Sequence, residues 1–221
     1  MGPVVTPAQS MNARKRMSTG DRRRQIIDGA IKFFAEHGLA GQLRQLTKEL
    51  GITHALLYHY FPTKDALIKQ VYEDVFEARW KPEWAGLLDN KNLSPTEKLT
   101  AFYADYSATF LTHDFVRILI FSGLSDRSIS DRFMEMLRTH LIPRLIRETR
   151  KHCNRRTRAK PSNRELELLM GLHGGIFYIA MRRWVYGQAI YDVTSPQAEL
   201  EIITDRVVSY LLSAETFFKM D

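Results

Sequence analysis

The sequence has little of what marks secreted, membrane-bound or disulfide-stabilised proteins. A single cysteine among 221 residues excludes an internal disulfide and fits a reducing compartment. No apolar run approaches the ~20 residues that a membrane-spanning helix needs, and the N-terminus has no apolar signal core. We therefore expect a cytoplasmic protein that does not associate with membranes.

The sequence also lacks the residue patterns of common catalytic and metal sites. Its seven histidines and one cysteine show neither HExxH nor CxxC spacing, and neither GxSxG nor a dinucleotide-binding fingerprint occurs. These absences predict a protein that is not an enzyme and that has no cofactor or metal. Strand signals and internal repeats are absent too, so the predicted fold class is all-α.

Positive charge is plentiful, and it is concentrated in the first quarter of the chain. Residues 1–64 hold ten Lys or Arg and four Asp or Glu, which gives a net charge of +6. The whole chain carries +7, which leaves +1 for residues 65–221. Such an excess is typical of a surface that binds a polyanion such as nucleic acid.

The same region carries the pattern of a helix-turn-helix between Ile26 and Leu67. Ser18, with Asp21 three positions later, is a capping signal for a first helix, and Gly38 suits its end. Apolar residues recur at helical spacing along that helix, at Ile27, Ala30, Ile31 and Phe34. Leucines form a second stripe before Gly51, at Leu43, Leu46 and Leu50.

A third helix is predicted to begin after Thr53, whose hydroxyl can cap it. Its larger residues face inward at Leu56, Leu57, Tyr60 and Phe61, which leaves His54, Ala55, Tyr58 and His59 facing outward. Seven or eight helical residues span roughly 11 Å, about the width of the major groove of B-DNA. A helical hairpin in an ordinary core would give the same leucine stripes, but the local excess of positive charge favours DNA binding.

This segment resembles the DNA-binding domain of the TetR (tetracycline-repressor) family. The resemblance covers about a fifth of the chain, and the matching residues are Ile26–Gly38, Leu46–Ile52, Leu57-Tyr58-His59-Tyr60-Phe61, Lys64 and Leu67. It implies a homodimeric repressor that binds a pseudo-palindromic operator in double-stranded DNA and is released by a small-molecule effector. The implied organisation is a flexible basic arm (1–17), a helix-turn-helix domain (18–64) and a helical ligand-binding and dimerisation domain (65–221), with about nine helices in total.

The resemblance also assigns residues to DNA. It places Tyr58, His59 and Lys64 on the phosphate backbone, and Thr53, His54 and Ala55 in the groove. Arg44 matches a position where some members read a guanine, although a phosphate contact there is equally open. Because the third helix has no Arg, Lys, Asn or Gln, we expect base readout to depend on Arg44, Gln42 or Gln45 and on DNA shape. The basic run 14–16 is either a minor-groove arm or a solvated tail.

Two predicted C-terminal helices, 162–187 and 196–219, suit dimerisation. The first contains three glycines, Gly171, Gly174 and Gly175, for which close packing is the natural compensation. The second carries an apolar stripe that is wider than one neighbour requires, at Leu200, Ile203, Val207, Tyr210 and Leu211. Packing inside one subunit would explain both features, but the resemblance implies a four-helix interface between two copies.

Aromatic residues between these regions predict a core and, by the resemblance, an effector pocket. Most of them will belong to the core. The candidate polar anchors for a largely apolar or aromatic ligand are Tyr103, Tyr106 and His173, with Phe110, Phe121 and Phe177 beside them. An alternative function is a DNA-binding assembly or architectural protein whose C-terminal domain binds a protein partner.

Three further expectations concern helix breaks and a basic stretch. A fourth helix should run from about Lys64 to Leu88 with a bend at Pro82, and another from about 130 to 151 with a kink at Pro143. The segment 144–164 has nine basic residues and one acid, which predicts a solvated loop or, less simply, a second polyanion contact. Its basic neighbours could lower the pKa of Cys153 and make the thiol reactive.

Overall fold

The computed structural model describes residues 17–155, 157–188, 190–191 and 195–219. The predicted all-α class is confirmed, because this part of the chain contains helices and no strand. The basic run 14–16 lies outside the described residues. The helices are α1 (Thr19–His37), α2 (Leu43–Glu49), α3 (His54–Tyr60), α4 (Lys64–Tyr72), α5 (Glu83–Asp89), α6 (Pro95–Phe110), α7 (His113–Gly123), α8 (Ser128–His140), α9 (Ile142–His152), α10 (Asn163–Trp184) and α11 (Pro196–Lys219).

The described residues form eleven α-helices rather than about nine, because two predicted long helices are each divided. A π-helical turn, Glu73–Glu77, continues α4, and the chain then breaks before Pro82, which lacks the N–H that a continuing helix would need. The second division falls at Leu141. There Pro143 lies in the first turn of α9, where its missing N–H leaves no hydrogen bond unmade, so the expected kink is a break.

Helices α1, α2 and α3 form a unit that we call the head. Their predicted caps are present, since Ser18 Oγ accepts from Asp21 N at 3.1 Å and Thr53 Oγ1 accepts from Leu56 N at 3.1 Å. Gly51 has a φ of 62°, which a side chain would disfavour, and it reverses the chain between α2 and α3. The α1 backbone approaches α2 closely, because a Cβ on Gly29 would lie 2.2 Å from Leu50 Cδ2.

The remaining helices form a second unit that we call the body, and α6 is one of its central helices. This helix packs against α5, α9 and α11, and α10 packs against both α9 and α11. A cluster of buried aromatic rings fills the interior: Phe76, Trp84, Phe102, Tyr106, Phe110, Phe115 and Phe133. No helix in the described ranges is long and apolar enough to span a bilayer.

An ion pair lies inside the body, between α6 and α9. Lys98 Nζ donates to Glu148 Oε2 at 2.8 Å, and both side chains are almost fully buried. Glu148 also accepts from Lys151 Nζ at 2.7 Å and from Arg147 Nε at 3.1 Å. Burial alone would raise the pKa of Glu148, but these hydrogen bonds outweigh it and hold the pKa below its usual value.

Candidate nucleic-acid interface and interior cavity

The outward face of α3 and the start of α2 present polar and aromatic side chains to solvent. Nine residues are predicted to contact DNA, and all of them except Lys64 are exposed: Gln42, Arg44, Gln45, Thr53, His54, Ala55, Tyr58 and His59. Meanwhile Leu46 and Leu57, which lie on the opposite faces of these helices, are 1% exposed. The apolar faces therefore hold the head together, and the outward faces remain accessible to a ligand.

The side chain of Arg44, a predicted base-reading residue, is free to contact a ligand. Its guanidinium makes no hydrogen bond or ion pair with the part of the chain that the structure describes. Gln45 differs, because its amide nitrogen lies 3.2 Å from His37 Nε2 and 3.0 Å from Glu49 Oε1. Thr53 uses its oxygen to cap α3, and the His54 and Tyr58 rings contact each other with centroids 4.8 Å apart.

Lys64 has a structural role in addition to its predicted contact with a phosphate. Its ammonium is half-buried and donates to the Gly41 carbonyl at 2.9 Å, which ties the start of α4 to the loop before α2. Two of its three N–H donors remain for another partner. Lys64 therefore both positions α2 and carries a charge beside it.

The basic residues at the start of α1 are engaged with neighbouring side chains. Arg23 donates to Gln70 at 2.5 Å and lies over the Phe61 ring, 5.2 Å from its centroid. Arg24 forms ion pairs with Asp28 and with Asp74 of the π-helical turn. The hydrogen bond with Asp28 is the largest cause of the raised pKa of Arg24. These arginines hold α1 against α4, a function that sequence charge alone did not indicate.

Arg117 of α7 joins the head to the body, and sequence reasoning missed it. Its Nε donates to the Ala35 carbonyl at 2.5 Å, and Nη2 lies 3.5 Å from the Glu36 carbonyl, both in the last turn of α1. Nη1 lies 3.4 Å from the carbonyl of Trp184, the last residue of α10. The carbonyls at a helix C-terminus have no partner within their own helix, so one guanidinium supplies donors to two helix ends.

Phe121 belongs to the same joint, which corrects its assignment to the effector pocket. The Arg117 guanidinium lies 5.6 Å from the centroid of its ring, and a Cβ on Gly38 would lie 3.1 Å from Phe121 Cδ1. The ring is thus placed against the end of α1 and away from the body interior. Helical periodicity marked it as apolar but could not tell which neighbour it packs against.

A small cavity lies in the body between α6, α8, α9 and α10. Its volume is about 10 Å³, roughly what one water molecule needs, and its lining is Tyr103, Leu137, Leu141, Ile142, Leu145, Leu169, Met170 and His173. Two predicted anchors, Tyr103 and His173, border it. Tyr106 lies behind His173, with its hydroxyl 3.4 Å from Nε2. Phe110 and Phe177 lie outside the lining, where Phe110 is part of the aromatic core and Phe177 packs against it.

Burial governs the protonation of the polar groups around the cavity. It lowers the pKa of His173 to about 4 and raises the pKa of Tyr106 well above its usual range. Burial is also the largest cause of the raised pKa of Tyr103. At neutral pH all three side chains are therefore uncharged.

Lowering the pH from 7.5 to 5 is expected to cost about 2 kcal/mol of folding stability through His173. The folded pKa of about 4 lies below the ordinary 6.5, so the unfolded chain takes up the proton first and stability is lost as pH falls from 6.5 towards 4. Urea unfolding at several pH values measures this loss. The variant His173→Leu should lack the part of the pH dependence of folding stability that His173 causes. An identical dependence of stability on pH in the two proteins would contradict a neutral His173 in the folded chain.

The comparisons with known proteins agree with this geometry. The sequence profile of bacterial regulatory proteins of the tetR family matches residues 26–71, from α1 into α4. The chain is 30% identical over 108 residues, 48% of its length, to the helix-turn-helix transcriptional repressor KstR2 of Mycolicibacterium smegmatis. It is 45% identical over 47 residues, 21% of its length, to a second such repressor of Mycobacterium tuberculosis.

Residues 26–71 therefore form a helix-turn-helix domain of the TetR type. The matches span 51% and 25% of the lengths of those two relatives, so they do not establish the activity of the whole protein. Solved structures extend the fold likeness across the body. A TetR-like regulator of Rhodococcus sp. RHA1 covers 89% of this chain and 99% of its own, with TM-score 0.64 and 17% identity. The ketosteroid regulator KstR2 of Mycobacterium tuberculosis covers 87% and 96%, with TM-score 0.59 and 17% identity.

The C-terminal helices require a correction to the predicted interface. Four of the predicted interface residues are at most 6% exposed because they pack inside the protomer: Ile203, Val207, Tyr210 and Leu211. Leu200 is 39% exposed, and the apolar residues that α11 presents to solvent beside it are Val208 and Leu212, 39% and 58% exposed. Periodicity identified the apolar stripe but not which edge of it the body already covers.

The three glycines of α10 also differ in whether they face solvent or pack inside the protomer. Gly171 and Gly174 are exposed, and no atom lies within 4 Å of a Cβ built on either one, so packing inside the subunit does not explain them. A Cβ on Gly175 would lie 2.7 Å from Arg206 Nη1, which makes this glycine a contact within the protomer. Tyr178, one turn after Gly174, is 50% exposed.

The basic segment 144–164 is helical as far as His152, and many of its charges are paired. Arg147 pairs with Asp89 and Glu148, and Arg150 donates to Glu165 at 2.6 and 2.8 Å. The Arg150 hydrogen bond is the largest cause of the low pKa of Glu165, about 2. The predicted solvated loop is thus wrong for residues 144–152, and the paired charges are less available to a second polyanion.

Cys153 does not have the environment of a reactive thiol. Burial raises its pKa, the nearby Glu215 raises it further, and Arg155 only partly opposes them. A raised pKa keeps the sulfur protonated at neutral pH, whereas the thiolate is the reactive form. The hypothesis of a low-pKa cysteine is therefore wrong.

Proposed function

We propose that this chain is a homodimeric transcriptional regulator of the TetR family, a repressor that a small, largely apolar or aromatic ligand releases from its DNA operator. The observation that carries the proposal is the outward face of α2 and α3. Arg44, His54, Tyr58 and His59 are exposed there together, while the apolar faces of the same helices are used in the head. A face that is rich in polar and aromatic side chains on a helix-turn-helix suits a DNA groove.

In this proposal the side chains divide into two roles. Tyr58, His59 and Lys64 contact phosphates, which supply affinity, and Arg44 supplies sequence preference with Thr53, His54 and Ala55 against the groove. Gln42 and Gln45 are further candidates for bases, and Gln45 must exchange its contacts with His37 and Glu49. A short α3 reads few base pairs, so two heads on a pseudo-palindrome are needed for a useful site.

Dimerisation is assigned to the solvent-facing residues of α10 and α11. These are Gly171, Gly174, Tyr178, Leu200, Val208 and Leu212. Exposed glycines without neighbours allow another backbone to approach closely, and exposed leucine and valine supply apolar area. The four buried residues of the α11 stripe hold that surface in place from inside the protomer.

The effector is assigned to the cavity beside Tyr103 and His173. A ligand that enlarges this cavity must move its walls, which include α8 and α10. Helix α8 packs on α7, and Arg117 of α7 bonds the ends of both α1 and α10. A change in the body can thereby alter how the head is held, provided that the ligand binds the two arrangements with different affinities. Two proteins of similar fold, a ketosteroid regulator and a fatty acid degradation regulator, are compatible with an apolar effector.

Selection from random duplexes tests the DNA-binding part of this proposal. The purified chain should enrich a pseudo-palindrome, bind it with two subunits and lose affinity steeply with added salt. A chain that stays monomeric at low salt and prefers no duplex over heparin would refute it. A thermal-shift panel of apolar and aromatic compounds addresses the effector, because a protein that uses its body to bind a protein partner should gain stability with none of them.

Arg44→Ala is expected to reduce the preference for the selected site over mismatched sites by about 5- to 150-fold, the equivalent of 1–3 kcal/mol. Lys64→Ala should instead weaken binding to all sequences alike and flatten the dependence on salt. Fluorescence anisotropy on matched and mismatched duplexes measures both quantities. Lys69→Ala, which removes an exposed charge from α4 that lies 3.9 Å from Glu73, is the matched control. Equal behaviour of the Arg44 and Lys64 variants would contradict the division of roles.

A further inference from the structure

We infer that the effector is an uncharged, largely apolar molecule that presents a hydrogen-bond acceptor oxygen, such as a ketone or ester carbonyl, to the Tyr103 hydroxyl beside His173. This inference rests on the proposed function, because it specifies the chemical class of the ligand for the proposed cavity. It is carried by the hydrogen bonding of the tyrosines in the body and by the lining of the cavity.

Three tyrosines are buried side by side in the body, and their hydroxyl groups differ. Tyr210 OH lies 2.8 Å from Thr149 Oγ1, and Tyr106 OH lies 3.4 Å from His173 Nε2. Tyr103, which is 0% exposed, has a hydroxyl with no hydrogen-bond partner in the described ranges. Buried hydroxyls are normally hydrogen-bonded, so an unpartnered one at the edge of a cavity indicates a group kept for a ligand.

The surroundings of Tyr103 determine what that ligand can be. Its ring lies against Phe102 and His173, with centroids 5.0 and 6.0 Å away. Burial lowers the pKa of His173 to about 4, so the imidazole is neutral and keeps one N–H donor. The Tyr103 hydroxyl, whose pKa is raised, remains a donor as well. The site therefore offers donors to an acceptor oxygen.

Charge is the feature that the lining lacks. Of the eight lining residues, six are Leu, Ile or Met, and neither Tyr103 nor His173 is charged at neutral pH. A carboxylate placed there would lose its hydration without gaining a cation, which is strongly unfavourable. A carbonyl can accept the Tyr103 hydrogen bond at little cost, so uncharged compounds are favoured over acids of the same skeleton.

The cavity must enlarge before it can hold such a molecule, since its present volume is about 10 Å³. Three of the lining residues would permit this enlargement. Met170 is unbranched and adapts its shape readily, and Leu141 and Ile142 mark the break between α8 and α9. Movement of α8 relative to α9 at this break would open the cavity.

The first test needs no ligand, because an unpartnered hydroxyl should weaken the folded state. Tyr103→Phe is expected to raise the urea midpoint of the native chain. Tyr210→Phe, the matched control that loses a real hydrogen bond, should lower it. A lower midpoint for Tyr103→Phe, or an equal decrease in both variants, would overturn the inference by showing that the Tyr103 hydroxyl is already satisfied.

The second test compares uncharged and charged probes of the same skeleton by thermal shift. The pairs are 2-acetylnaphthalene with 2-naphthoate, and 2-decanone with decanoate. At least one ketone should raise the melting temperature of the native chain more than its acid does, and Tyr103→Phe should lose most of that increase. The inference fails if neither ketone shifts the melting temperature, if the acids match the ketones, or if Tyr103→Phe keeps the full shift.

Operator binding without any probe separates this inference from the proposed function. Selective DNA binding together with a failed probe comparison would reject the ligand class alone. Absence of selective DNA binding would reject the proposed regulator, whatever the Tyr103 variants show.

Discussion

Replacing Leu212 with glutamate is expected to separate the proposed dimer and to lower the affinity for a full operator by about 10²–10⁴-fold. Leu212 is 58% exposed on α11, and Val208 one turn earlier is 39% exposed. In an interface the new carboxylate would be buried against apolar groups without a counter-charge. A monomer then binds each half-site with one head and loses the gain from two linked heads. Sedimentation velocity measures the subunit state, and anisotropy measures the affinity.

The control for this variant is Leu124→Glu, the same change at another exposed leucine. Leu124 follows α7, is 81% exposed and is not on the proposed dimer surface. It should leave both the subunit state and DNA binding as they are in the native chain. A dimer that persists in Leu212→Glu, or one that Leu124→Glu disrupts equally, would place the interface elsewhere.

Replacing Glu148 with leucine is expected to lower the free energy of unfolding by about 3–5 kcal/mol. The change leaves the ammonium of Lys98, whose side chain is 3% exposed, inside the body without its carboxylate. Arg147 keeps its ion pair with Asp89, and the side chain of Lys151, which loses its partner, is 50% exposed and can turn to solvent. Urea unfolding monitored by tryptophan fluorescence measures the loss.

The double variant Lys98→Met/Glu148→Leu tests whether the unpaired ammonium of Lys98 causes the loss of stability. Well-packed apolar replacements for a buried ion pair are often neutral or stabilising, so most of the lost stability should return. Lys151→Met, which removes a solvent-accessible partner, should change stability far less than Glu148→Leu. If the double variant is less stable than Glu148→Leu alone, then the carboxylate and not the unpaired ammonium is the main cause.

Much of the head could be predicted from local sequence signals. Ser18 and Thr53 cap α1 and α3 as expected. These signals act within three or four residues of one another, which is why a linear pattern contains them. The outward set on α3 follows from the same short-range geometry.

The body could be predicted only in part, because its important contacts join residues far apart in the chain. The apolar stripe of α11 was visible, but only packing against the protomer shows that Ile203 and Val207 are buried while Leu212 is exposed. The bonds from Arg117 to Ala35 and Trp184 bridge 82 and 67 residues. An arginine in a sequence carries no mark of such partners.

The sequence by itself determined that this chain is helical, that its head is a helix-turn-helix of TetR type and that Arg44 and the outward residues of α3 face solvent. Hydrophobic periodicity and helix caps determine these features locally, so they do not depend on the rest of the fold. Only the tertiary structure decided that Tyr103, unlike its buried neighbours Tyr106 and Tyr210, has a hydroxyl without a hydrogen-bond partner among the described residues. It also decided that Phe121 lies at the joint and that Lys64 holds the loop before α2. Those outcomes depend on which surfaces meet when distant helices pack, and side-chain spacing along the chain does not specify that.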